Sequence, residues 1–162
     1  MVNIFSQDCK KCELCLTRTN IVWGKGNLKS KLVLIGEAPG EKEDLLGNPF
    51  VGRSGALLDE ALAASFGPNF LEQVYITNMV KCRPPGNRNP TLKEKESCKT
   101  FLTEELEIIK PNLLIVLGKM ASEYILKRPV KITREHGSLI TTKKQACVIV
   151  CYHPTYILRN QN

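Results

Sequence analysis

Four short, nearly unbroken apolar runs constrain this chain most. They lie at 31–36 (Lys-Leu-Val-Leu-Ile-Gly), 74–77 (Val-Tyr-Ile-Thr), 113–117 and 146–152. Each is too short for a helix and too continuously apolar for a strand with one wet face, so each reads as a buried parallel strand. In the last run Val148 and Val150 fall on one face and Cys147, Ile149 and Cys151 on the other. The intervening segments have helical spacing. In 54–66, Leu57, Leu58, Ala61 and Leu62 form a stripe, with Ser54 as N-cap and Gly67-Pro68 as the stop. Thr91 with Glu94 three residues on is a capping-box pattern; that helix runs to about Lys110 and ends before Pro111. Gly118 leads into a helix with Met120, Tyr124 and Ile125 inward, and 133–142 around Gly137 reads as a hairpin. Alternating strands and helices give an α/β fold. We expect a three-layer α/β/α sandwich around a central, mainly parallel four-stranded sheet. The length suits one domain over 1–162, with the polar stretch up to Thr19 as an N-terminal cap.

The cysteines narrow the chemistry. Cys9 and Cys12 form a C-x-x-C, whereas Cys82 and Cys98 stand alone far downstream. A zinc ribbon wants two tight pairs. An iron–sulfur cluster needs only four thiolates that converge in space, so this spacing suits it. The alternatives are buried structural thiols and a zinc ion. Lys10, Lys11, Lys81, Arg83 and Lys99 lie beside the sulfurs and would stabilise an anionic cluster. Cys147 and Cys151 read as core thiols, and Cys15 is a rival ligand. Seven cysteines with no signal peptide ahead of Cys9 fit a reducing cytoplasm rather than a disulfide framework. The formal charge of +7 favours a polyanionic partner, nucleic acid first. Basic residues cluster at Lys81, Arg83, Arg88, Lys93 and Lys95, and again at Lys143 and Lys144. No apolar run reaches the ~18 residues that span a membrane.

Polar residues sit where the apolar runs end. The first run delivers Glu37 in Gly36-Glu37-Ala38-Pro39-Gly40, the second Asn78, the last His153. In parallel sheets working groups gather beyond the carboxyl ends of the strands, so these three are expected to meet in one cleft. Individually, Asn78 reads as a turn cap, His153 as a turn residue and Glu37 as a surface acid.

Together these segments resemble the family 4 uracil-DNA glycosylases. The resemblance rests on Gly36-Glu37-Ala38-Pro39-Gly40 with Glu43-Asp44, and on Gly47-Asn48-Pro49-Phe50-Val51-Gly52. It extends to Ile76-Thr77-Asn78 with Lys81-Cys82-Arg83-Pro84-Pro85, and to His153-Pro154-Thr155-Tyr156 with Leu158-Arg159-Asn160. It runs in register from Cys9 to Asn160. It implies hydrolysis of the N-glycosidic bond of uracil in DNA, which leaves an abasic site and starts base-excision repair. It also implies a [4Fe–4S] cluster on Cys9, Cys12, Cys82 and Cys98, tying the cap to the Cys82 loop and the Cys98 helix. Phe50 matches the family's stacking aromatic. Asn78 would pair with N3–H and O4 of uracil, a pattern cytosine reverses. His153 would donate to O2 as charge grows on the departing base. Glu37 and Glu43 are candidates to place the water, and Glu43 also to block the thymine methyl; Asn87 approaches the site. The better-known uracil glycosylases carry an Asp where this chain has Ala38, and family 4 likewise lacks it. Lys81, Arg83 and Arg88 would bind the DNA backbone. Tyr156, Ile157 and Leu158 would form a wedge, with Arg159 contacting phosphate or filling the gap.

Two departures stand out: Thr155 where Ser is usual, and an end at Asn162 where family members continue into another helix, leaving a sheet edge or face thinly covered. The expected partner is uracil-containing DNA, single- or double-stranded, met by a monomer in the cytoplasm, nucleoid-associated in a prokaryote. A sliding clamp or other repair proteins are further candidate partners. The competing functions are a non-catalytic DNA-binding module and a glycosylase that also takes hypoxanthine or xanthine.

Overall fold

The computed structural model describes residues 8–142 and 146–160, so the basic pair Lys143 and Lys144 lies outside the described residues. The strands are β1 (Lys25–Gly26), β2 (Leu32–Gly36), β3 (Val74–Asn78), β4 (Leu113–Leu117), β5 (Leu139–Thr141) and β6 (Cys147–Cys151). The helices are α1 (Glu41–Leu46), α2 (Arg53–Phe66), α3 (Leu92–Ile109), α4 (Lys119–Leu126), α5 (Ile132–Glu135) and α6 (Pro154–Arg159). They make one sheet in the order β1-β3-β2-β4-β6-β5. The four apolar runs are its parallel centre, as expected.

The sheet has six strands rather than four, because short antiparallel strands flank the centre on both sides. β1 spans two residues, and β5 is largely exposed, so neither carries a strong hydrophobic pattern. The hairpin expected over 133–142 does not form. Residues Ile132–Glu135 make a helical turn, the chain reverses at Gly137 (φ 78°), and β5 pairs with the later strand β6.

Strand alternation sorts two cores. Val33, Ile35, Tyr75, Val116, Val148 and Val150 face α3, α4 and the N-terminal segment, which contributes Leu14, Ile21 and Trp23. Leu34, Val74, Ile76 and Leu117 face the other way, onto Phe50, Leu58 and Leu62. α6 lies against α2 on that second side. The N-terminal segment is therefore held by packing and by Asp44, which accepts from the Thr19 and Asn20 N–H groups at 3.0–3.2 Å. Among the described residues no helix is long and apolar enough to cross a membrane.

The capping box on α3 is present: Glu94 N–H donates to Thr91 Oγ1 (3.3 Å) and Thr91 N–H to Glu94 Oε2 (2.7 Å). Such a cap contributes about 1 kcal/mol. Ser54 does not cap α2. That helix starts one residue earlier with Gly52 as N-cap, and the acceptor comes from α1: Glu43 Oε1 takes the N–H groups of Val51 (2.9 Å) and Gly52 (2.8 Å).

Candidate active site

All four parallel strands end at one rim, and Gly36 stands directly opposite Asn78 in the β2–β3 ladder. A cavity of about 490 Å³ opens there, lined by Glu37, Glu43, Phe50, Asn78 and His153 among others. That size suits a small ligand. Asn78, 3% exposed, continues the Val74–Ile76 face of β3, so its amide points to the side where Phe50 packs. Among the described residues no protein group hydrogen-bonds that amide, so its donor and acceptor remain available to a ligand. The lack of a side chain at Gly36 makes the space: a Cβ there would collide with Asn78 Oδ1 and lie 2.6 Å from Phe50 Cζ.

Phe50 is held in the left-handed region (φ 52°), unusual for an aromatic residue and costing about 1–3 kcal/mol. Three features hold it there. Lys25 Nζ donates to its carbonyl (3.2 Å), and Glu43 fixes the next two N–H groups. Gly55 leaves room for its backbone, since a Cβ there would strike the Phe50 carbonyl.

His153 caps α6. Its Nδ1 accepts from the Thr155 N–H at 3.2 Å, which leaves the proton on Nε2 and makes that nitrogen the donor. Burial pulls its pKa below the ordinary 6.5, Arg159 lowers it further, and Glu43 opposes. The imidazole is neutral at pH 7, and its ring stacks at 6.2 Å from that of Phe50. Burial raises the Glu37 carboxyl above 4.5, with Lys95 opposing.

Lys81 is not a surface residue and does not reach DNA. It is 1% exposed, and its Nζ donates to Glu105 Oε2 (2.6 Å), Thr77 Oγ1 (2.6 Å) and the Asn78 carbonyl (2.7 Å). Burial lowers its pKa, and Glu105 opposes that shift. Sequence reading missed this pair, although the signal was present: Glu105 falls on the buried stripe of α3 with Cys98, Phe101, Leu102 and Ile109. An acid on such a stripe needs a buried cation.

The other basic residues lie outward but are engaged. Arg88 grips Glu94 with two bonds (2.7 and 2.9 Å), which holds the Glu94 carboxyl at about 2. Arg83 Nε donates to Asn87 Oδ1 (2.7 Å) and steadies Asn87 at the cavity edge, in a left-handed conformation (φ 55°). In α6, Tyr156 and Ile157 are exposed, Leu158 is half-buried and Arg159 reaches the cavity. Tyr156 stacks flat on Tyr152, 4.8 Å between centroids, so it forms part of a ring stack as well as of the exposed α6 tip.

All seven thiols are free. Cys82 and Cys98 are buried in the core cluster under α3, and Cys9 and Cys12 pack against that same cluster, whereas Cys15 does not. Cys98 feels the charge of Cys12 and Cys9, and Cys82 that of Cys98 and Cys12. N–H donors are aimed at two of the sulfurs: Arg18 at Cys82 Sγ (3.6 Å) and the Lys81 backbone at Cys98. Among the described residues no three His, Cys, Asp or Glu side chains close around a single ion. Four thiols gathered on one core cluster, with N–H donors at two of the sulfurs, have the chemistry to suit an anionic group such as an iron–sulfur cluster.

Residues 23–162 match the family model of the uracil DNA glycosylase superfamily. The chain is 45% identical to the type-4 uracil-DNA glycosylase of Thermotoga maritima, covering 100% of this chain and 85% of the relative. It is 46% identical to the type-4 uracil-DNA glycosylase of Archaeoglobus fulgidus, over 93% of this chain and 78% of the relative. For the corresponding protein of Sulfurisphaera tokodaii the figures are 40%, 95% and 73%.

Proposed function

The chain belongs to the uracil DNA glycosylase superfamily and, within it, to the type-4 uracil-DNA glycosylases, and on that premise we propose that it extrudes uracil from DNA and hydrolyses its N-glycosidic bond to start base-excision repair. One observation carries this reading: an aromatic ring, an unengaged amide and a neutral imidazole that keeps its proton on Nε2 line one cavity beyond the strand ends.

The base enters the cavity after leaving the stack. Phe50 supplies the flat surface. The Asn78 amide donates to O4 and accepts from N3–H, and cytosine reverses both partners. As the N1–C1′ bond breaks, its electron pair moves onto the base, and His153 Nε2–H meets the charge growing at O2. A neutral donor suits this role because it needs no proton transfer. Water then bonds to the oxocarbenium-like C1′, and its proton passes to the Glu37 carboxylate, which burial makes more basic than usual. Glu43 holds the Phe50 loop and the start of α2, so we assign it to shaping the pocket, where it also crowds a 5-methyl group.

Cys9, Cys12, Cys82 and Cys98 would hold a [4Fe–4S] cluster, whose work is structural because base hydrolysis moves no electron. Arg83, Asn87, Arg88 and Arg159 line the approach for the DNA strand.

The test is incubation of the purified, brown protein with a uracil-containing oligonucleotide, followed by alkaline cleavage at abasic sites. We expect strand scission at uracil and none at thymine or cytosine. Asn78→Ala should abolish excision while retaining DNA binding. Absence of abasic product from a cluster-replete sample would leave only a DNA-binding module, and unchanged turnover in Asn78→Ala would remove that residue as the base reader.

A further inference from the structure

Three rings form a row that leads away from the cavity, beginning at Tyr156, which lines it. Tyr156 in α6 lies on Tyr152 with centroids 4.8 Å apart and planes 13° apart. Tyr152, just past β6, in turn contacts His136, just past α5, at 4.5 Å and 39°. The stack is anchored from the backbone. His136 Nδ1 accepts from the Tyr152 N–H (3.3 Å), the Gly137 N–H donates to the Val150 carbonyl (2.9 Å), and Asn160 Nδ2 donates to the Tyr156 carbonyl (2.7 Å). His136 and Tyr156, its two ends, are both exposed, and Tyr156 also lines the cavity. The stack is thus continuous with the site. Arg134 and Lys131 lie exposed on the His136 side, and Arg159 on the Tyr156 side.

An anchored, solvent-facing aromatic ladder flanked by cations is poor packing material but a good surface for nucleobases, whose faces stack on aromatic rings regardless of sequence. A paired neighbour in a duplex already has its stacking partners; an unpaired neighbour does not. Resting on the uracil-excision reading above, we propose that His136, Tyr152 and Tyr156 form a stacking platform for the unpaired nucleotide next to the extruded uracil. On this account Tyr156 holds a neighbouring base, and the wedge role falls to Ile157.

The test uses the full chain with its cluster and single-stranded oligonucleotides carrying a 2′-fluoro-uridine that resists cleavage. The nucleotide beside it is either a normal base or an abasic spacer. With the native protein, removing the neighbouring base should weaken binding about tenfold. In Tyr156→Leu the same removal should matter less than twofold, and Tyr156→Phe should restore the native difference. His136→Ala, at the exposed end, gives an independent intermediate value should Tyr156→Leu prove unstable. Equal losses in the native protein and both variants would overturn the platform. If the native protein excises uracil yet ignores the spacer, the platform alone fails. If it excises uracil from no substrate, the excision reading fails and the platform with it.

Discussion

The cleft at the strand ends and the thiol corner beside α3 are built on opposite terms. In the cleft the polar groups are preset and left open: the Asn78 amide is unengaged, His153 is fixed in one tautomer, and Phe50 is clamped in a strained conformation. Packing and hydrogen bonds from the chain suffice to hold it. In the thiol corner the groups are gathered but not at rest. Burial pushes the Cys82 thiol up to about 12 and raises Cys98, so as thiolates they need positive charge that the neighbouring side chains supply only in part. Folding alone can preset polar groups around a cavity, whereas buried thiols that are to ionise need a positive charge brought from outside the chain. Lys81 joins the two regions, with its ammonium on the Asn78 carbonyl and its backbone N–H on Cys98.

Substitutions in the two regions should have separable effects. The largest effect is expected from Cys98→Ser, which should remove iron, brown colour and soluble protein together, whereas Asn78→Ala keeps all three. Iron content and visible absorbance decide, and a soluble, brown, active Cys98→Ser protein would end the ligand assignment. Next comes Lys81→Met, which leaves the buried Glu105 without its cation, held only by the Tyr75 and Thr77 hydroxyls. It should cost about 3–5 kcal/mol in denaturant unfolding. Adding Glu105→Leu should recover most of that stability without recovering excision, since the Asn78 carbonyl still lacks its donor. His153→Ala should slow single-turnover excision about 10²–10³-fold with iron content unchanged, as for the loss of one preorganised donor. A rate within twofold of native would exclude that role.

The smallest effect is in the pH profile. The folded pKa of His153 lies below its unfolded value near 6.5, so the neutral donor is present above pH 6.5. The stability tied to it is likewise full there and declines as pH falls below that value. Glu37 is shifted upward, so excision should rise with pH through a midpoint above 4.5. Glu37→Gln should flatten that limb, and an unaltered limb would assign it elsewhere.

What the sequence disclosed followed from range. The four central strands, the Thr91–Glu94 capping box and the stop before Pro111 are local patterns, and all appear in the fold. Glu37, Asn78 and His153 were legible because their motifs follow strand ends, where topology forces convergence, whereas Phe50, in the loop between α1 and α2, was read only from the family resemblance. β1 and β5 were not, since two or three half-exposed residues carry no period. Lys81 was misread because a lysine beside Cys82 and Arg83 resembles a basic surface, and only Glu105, 24 residues later, explains its burial. Glu43 was read as a candidate to place the water; what the sequence did not disclose is that its Oε1 also accepts the Val51 and Gly52 N–H groups at the start of α2, a contact no local pattern encodes.

The empty place at Gly36 has a consequence for evolution. The floor beneath the base is bare main chain, set at its depth by the pairing of two strands. Phe50, Asn78 and His153 can each be trimmed by a smaller residue, but Gly36 has nothing left to remove. Room for a two-ring base would have to come from above, through the loop that carries Phe50, so drift toward purine substrates should leave its mark between Gly47 and Gly52 while the sheet stays unaltered.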